Sequence, residues 1–260
     1  MSKAKTILKN IWANVWETIK SSFLAVLFYC MASTICFMGT LNSEWTGQIN
    51  EGLNSSRVMW IVIASVIAVG YNAIVAYAHG SRGYEMLVSG NMKRLSSQRL
   101  GSDIKISTHK ELQEYRAWKG FAMGGVAAFF TLLFGILMGI KGSSVNAVLV
   151  HWAEAEEGAS VASRGIGVLF LVSMLCSGWS LLPFIFVNAT GAGVSYFYSC
   201  LFALLPIAVS GFLYIAGAYG KRGKTVKAQR EADLAAAAEQ NKPKKINYGG
   251  LPGTKPKKKK

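Results

Sequence analysis

The sequence predicts an all-α fold, a polytopic transmembrane helical bundle, on three observations. Five apolar runs of twenty residues or more cover 21–41, 58–78, 120–140, 165–187 and 194–220. No Asp, Glu, Lys, Arg or His interrupts any of them. The 28 Lys and Arg against 13 Asp and Glu, a net charge of +15, lie before, between and after these runs and are distributed unevenly. At 1.5 Å per residue each run covers a hydrocarbon layer of about 30 Å. A soluble core helix of this length would carry polar residues on one face, and these do not.

Ahead of the first run, 1–20 reads as an amphipathic interfacial helix, with a plain cytoplasmic extension of the first helix as the alternative. Ile7, Leu8, Ile11, Trp12, Val15, Trp16 and Ile19 recur at helical spacing while Lys9, Asn10, Asn14 and Glu17 fall off that stripe. Paired tryptophans on such a face suit the headgroup level of a bilayer. The second run carries Ala64, Ala68, Asn72 and Ala76 four residues apart. Asn72 is the amide at its centre, expected to bond across to a neighbouring helix. The third run carries Gly120, Gly124, Ala128, Thr131, Gly135 and Gly139 on one small-residue face. Such faces let helix backbones approach where lipid supplies no hydrophobic drive. Its expected partner is the second run, and a homo-oligomer through the same face is equally compatible.

The connecting loop 80–119 is expected to hold a short helix near Glu85–Leu95. A second helix is expected to be capped at Ser107 or Thr108, with Glu111 in its first turn, and to run into the third span. Segment 141–164 reads as a short interfacial helix followed by acidic residues. His151 near Glu154, Glu156 and Glu157 lacks a carboxylate four residues on, since position 155 is Ala, so a metal site is not expected. In the fourth run Gly178 and Pro183 flank Trp179, and Asn188–Gly193 follows, a composition that suits a segment turning back. After the fifth run, 221–260 is a basic tail, helical from Thr225 to Gln240 and then without apolar periodicity.

Charge sets the topology and contains one conflict. Lys and Arg number four in 1–20, one in 42–57, eight in 80–119, two in 141–164 and thirteen in 221–260. The positive-inside rule therefore places 1–20, 80–119 and the tail in the cytoplasm. Three full spans between the 80–119 loop and the tail would put the tail outside. Four full spans plus a re-entrant fourth segment remove the conflict; five spans with an external tail are the alternative.

Function is less determined. No His, Asp or Glu cluster converges at the lipid interface, so no catalytic residue is assigned. Cys30, Cys36, Cys176 and Cys200 all sit in apolar runs without metal-ligand spacing, so neither cofactor nor metal is expected. Coupled transport leans on intramembrane ionisable groups, which the runs lack. The expectation is a non-enzymatic integral membrane protein, an accessory or scaffold subunit, in a bacterial inner (plasma) membrane. Its basic surface would contact anionic lipid or a partner membrane protein through Lys221, Arg222, Lys224, Lys227, Lys257, Lys258, Lys259 and Lys260. RNA or ribosome binding is disfavoured because no aromatic residue interleaves with the terminal lysines. The alternative is a small-solute permease using Asn72, Ser173, Ser177, Ser180, Tyr196 and Tyr214.

Overall fold

The computed structural model describes residues 3–40, 52–100, 112–153 and 161–240. Every regular element in them is helical: α1 (Lys3–Thr40), α2 (Ser55–Leu100), α3 (Ala117–Ala127), α4 (Phe129–Ile140), α5 (Gly142–Ala153), α6 (Val161–Ala189), a 3-10 helix (Tyr196–Ala203) and α7 (Leu204–Gln240). Four of these stretches are long and apolar enough to cross a membrane, within Asn10–Thr40, Ser55–Leu95, Gly165–Ala189 and Tyr196–Glu239; α3 and α4 pass the same test only as a bent pair. Met1–Lys221 forms one compact unit and Arg222–Lys260 a second.

The expected interfacial helix is not a separate element. α1 runs unbroken for 38 residues, about 57 Å at the usual rise. No Gly or Pro interrupts Lys3–Met38. At the expected boundary Thr18, Ser21 and Ser22 return their hydroxyls to carbonyls of the preceding turn at 2.8–2.9 Å, so the backbone has no reason to open. The apolar stripe continues the exposed face of α1, with Leu8, Trp12 and Trp16 all exposed.

The short helix expected near Glu85–Leu95 is likewise the end of α2, which extends for 46 residues. Its N-terminus is capped by Asn54, whose Oδ1 accepts from the Arg57 N–H at 2.9 Å. The glycines in its second half are contact points rather than breaks. A Cβ at Gly80 would collide with the Tyr214 carbonyl, and one at Gly90 with the Glu114 carboxylate.

The expected helix start at Ser107, Thr108 and Glu111 lies outside the described residues, but its run into the third span does not occur. Arg116 is extended (φ −144°, ψ 125°), and α3 begins only at Ala117. The segment 112–116, a strap leading into α3, is tied to α2: the Tyr115 N–H donates to the Gly83 carbonyl at 3.0 Å, and Arg94 pairs with Glu114 at 2.9 Å.

Two breaks shape the middle of the bundle. The third run bends by 45° between α3 and α4, just after Gly124-Gly125, a pair that resists bending poorly. The fourth run contains the non-helical residue Ser177 (φ −140°, ψ 21°) with Pro183 beyond it. Pro183 removes one rung of the ladder. Hydroxyls of Ser173, Ser177 and Ser180 donate to the carbonyls of Leu169, Ser173 and Ser177 at 2.7–2.9 Å, so three carbonyls beside the non-helical residue each receive a side-chain donor.

Contacts along the chain sort the two ends of the bundle. Gly120 and Gly124 meet Tyr214 and Ile207, then Gly135 meets Cys200, and Gly139 meets Phe197. The third run and the fifth are therefore antiparallel. Asn14, His79, Lys119 and Tyr214 share one end. At the other, Arg57 lies over the Phe186 ring at 4.3 Å, and Tyr196 donates to Asn146 at 2.6 Å. Gly52, at φ +69°, sits there against Thr190, whose Cγ2 would be 2.5 Å from an added Cβ; both the φ and the contact require glycine.

Candidate functional site

The small-residue faces are used inside the chain. A Cβ at Gly124 would lie 2.5 Å from Ile207 Cα, and one at Gly120 2.5 Å from Tyr214 Cβ. At Gly135 it would meet Cys200 Sγ at 2.7 Å, and at Gly139 the Phe197 ring at 2.8 Å. Ala128 is fully buried at the bend. The partner of this face is thus the fifth run, not the second as expected. The reason is the bend at Ala128, which aims the face of α3 at α7 and that of α4 at the 3-10 helix. Ala64 and Ala68 belong instead to the core cluster with Ala25, Tyr29 and Cys36 of α1 and Trp179 of α6.

Asn72 is 3% exposed and joins three runs. Its Nδ2 donates to the Pro206 carbonyl at 3.4 Å and to the Tyr29 hydroxyl at 3.5 Å, and its Oδ1 accepts from Ser210 at 3.0 Å. Amide and hydroxyl are thereby satisfied within the bundle. One buried donor differs: the Trp179 indole N–H, 1% exposed, has no hydrogen-bond partner among the described residues.

Sequence reasoning missed a polar cleft where α1, α2, the strap and α7 converge. It is lined by Glu17, His79, Arg82, Gln113, Lys119 and Tyr214 among others, and its empty space, counting the part open to solvent, is about 540 Å³. Gln113 donates to Glu17 at 3.1 Å. Lys119, buried one residue before the third apolar run, donates to the Leu112 carbonyl and, at 2.7 Å, to the Glu114 carbonyl. The strap is thereby fastened to the foot of α3. The Tyr115 and Tyr214 rings stack at 5.4 Å beside it. Burial, with Arg116 adding to it, lowers the Lys119 ammonium to about 8 against the pull of Glu114 and Glu17. His79, one residue beyond the second run, is lowered by burial and then by Arg82, with Glu17 opposing. A signal existed: His79, Arg82 and Lys119 all sit within a few residues of span borders. Yet nothing local says that borders 40 residues apart meet.

Of the expected basic surface, Lys221 is half-buried and pairs with Glu85 at the cleft end. In the second unit Arg222, Lys224 and Lys227 are exposed on the helix that runs to Gln240. Lys257, Lys258, Lys259 and Lys260 lie outside the described residues. Groups of three or more His, Cys, Asp or Glu able to hold a metal are absent among the described residues.

Compared with family models, curated proteins and solved structures, the chain matches none.

Proposed function

We propose that this chain is a non-enzymatic integral membrane protein, an accessory or scaffold subunit, whose cytoplasmic basic surface contacts anionic lipid or a partner. The observation that carries this reading is the full use of Asn72 and of the glycine face in internal helix contacts. Among the described residues, cations line the cleft of the first unit and, separately, stand exposed in the second unit at Arg222, Lys224 and Lys227. A polybasic segment beside a membrane gains up to about 1 kcal/mol per basic residue near an anionic surface.

Topology belongs to the same proposal. Tyr214 lines the cleft with Asn14, and Lys221 pairs with Glu85, so the chain leaves the first unit at the end where α1 enters it. Gly139 and Gly142 meet Phe197 and Tyr196 at the opposite end. Between these two points an even number of crossings must fall. α5, at 12 residues, covers only about 18 Å. The break at Ser177 therefore supports reading α6 as re-entrant although its length would suffice to cross. This reading has four full spans with N-terminus, 80–119 loop and tail in the cytoplasm by the charge rule, and it places the chain in a bacterial inner membrane.

The test has two parts. In a cysteine-free chain carrying Thr254→Cys, an impermeant thiol reagent should label only after permeabilisation; labelling of intact cells defeats the topology. A 221–260 peptide should bind phosphatidylglycerol vesicles far better than phosphatidylcholine vesicles, and salt should weaken it. Equal binding to both defeats the lipid-contact reading. A small-solute permease is the second reading, favoured by the unpartnered Trp179 N–H beside the α6 break. A solute that raises the melting temperature of the wild type but not of Trp179→Phe would favour it.

A further inference from the structure

The cleft between α1, α2 and the strap is built from two cations, Arg82 and Lys119, one carboxylate, Glu17, and an imidazole. Glu17 is engaged by Gln113, and Lys119 spends two of its three N–H groups on the Leu112 and Glu114 carbonyls. Arg82 is exposed and makes no hydrogen bond or ion pair among the described residues. With His79 held toward its neutral form, the cleft carries one positive charge in excess. It therefore suits a monoanion that accepts hydrogen bonds from a planar guanidinium, the recognition arginine performs best.

Depth points to the source of that anion. Trp16 precedes Glu17 in α1 and Trp118 precedes Lys119 in α3, and both indoles are exposed. Lys20 lies over the Trp16 ring at 5.6 Å. Exposed tryptophans beside basic residues mark the headgroup level of a bilayer. Glu17 and Lys119, each next to one of these tryptophans, both line the cleft.

The geometry points to a phosphodiester-binding site in this cleft: the phosphate of a membrane lipid headgroup held by Arg82, with the remaining Lys119 N–H beside it. The site rests on the reading above in placing the chain in a membrane, and it is independent of the tail. Glu17 tunes it by cancelling part of the positive charge, which disfavours dianionic phosphate monoesters.

The test is native mass spectrometry of the full chain in detergent, dosed with equal phosphatidylglycerol and phosphatidylcholine. Phosphatidylglycerol should be retained preferentially. Arg82→Gln should reduce that preference roughly fivefold, the effect of one basic contact at a membrane surface. Arg82→Lys should keep part of it, and Glu17→Gln should increase retention. Each variant is first checked for an unchanged melting temperature. Soluble glycerophosphoglycerol competing away the lipid would support the phosphodiester site, whereas competition needing the acyl chains would assign the source to the bilayer. Equal retention of both lipids by the wild type overturns the site. Preference unchanged in Arg82→Gln but lost in Arg222→Gln/Lys224→Gln/Lys227→Gln also overturns it, while leaving the tail reading standing.

Discussion

Asn72 in α2 accepts a hydrogen bond from the Ser210 hydroxyl of α7 at 3.0 Å, across 138 positions of sequence. The same amide donates to Tyr29 of α1 and to the Pro206 carbonyl. A single buried side chain thus ties the first, second and fifth runs together.

Replacing Asn72 by Leu removes all three bonds and leaves the Ser210 hydroxyl buried without its acceptor. We expect a loss of about 1–2 kcal/mol, the upper range for intramembrane hydrogen bonds, read as a lower melting temperature in detergent. Ser210→Ala, which leaves the two amide donations intact, should cost less. Equal stability of Asn72→Leu and wild type would show that the node carries no energy.

Two adjacent glycines give a sharp contrast. Gly124 faces Ile207 and Pro206 of α7, whereas nothing lies within 4 Å of a Cβ at Gly125. Gly124→Leu should therefore overpack the α3–α7 contact and cost about 1–3 kcal/mol or more, and Gly125→Leu should be close to neutral. Detergent-solubilised yield and melting temperature of the two variants separate a face used within the chain from one used between copies.

Trp179 combines large buried volume with an unpaired indole N–H. Trp179→Ala should cost about 3–5 kcal/mol. Trp179→Phe keeps most contacts with Tyr29 and Phe202 and removes the unsatisfied donor, so it should cost clearly less. A Phe variant as unstable as the Ala variant would mean that the N–H has a partner.

Lys119 gives a pH dependence with a definite sign. Its ammonium is lowered to about 8 in the folded chain, by burial first and Arg116 second. An unfolded lysine keeps its proton to about 10.4. Between those values the unfolded state holds the extra proton, so stability rises with pH across that window and this contribution is flat below it. The difference in melting temperature between wild type and Lys119→Gln should accordingly grow in favour of wild type from pH 8 to pH 10. A difference independent of pH would contradict the shift.

That the chain forms helices long and apolar enough to cross a membrane was legible from residue order alone, because an uninterrupted apolar run must bury its backbone polar groups in its own helix whatever surrounds it. The all-helical class and the helical tail to Gln240 follow from that requirement and from local propensity. A role for Asn72 in helix contacts was legible too, since an amide amid apolar residues needs partners. Neighbour choice was not. Every face of an apolar helix is equally acceptable to lipid, so hydropathy cannot say that Gly120 and Gly124 meet α7 rather than α2. That depended on the bend at Ala128 and on the close approach of Gly80 to Tyr214. The cleft lay furthest from view. Glu17, Arg82 and Lys119 are separated by dozens of residues and each looks like an ordinary span-border charge. Only the strap pinned by Arg94–Glu114 and Tyr115–Gly83 brings those borders to one place, where long-range packing rather than local pattern determines what they do together.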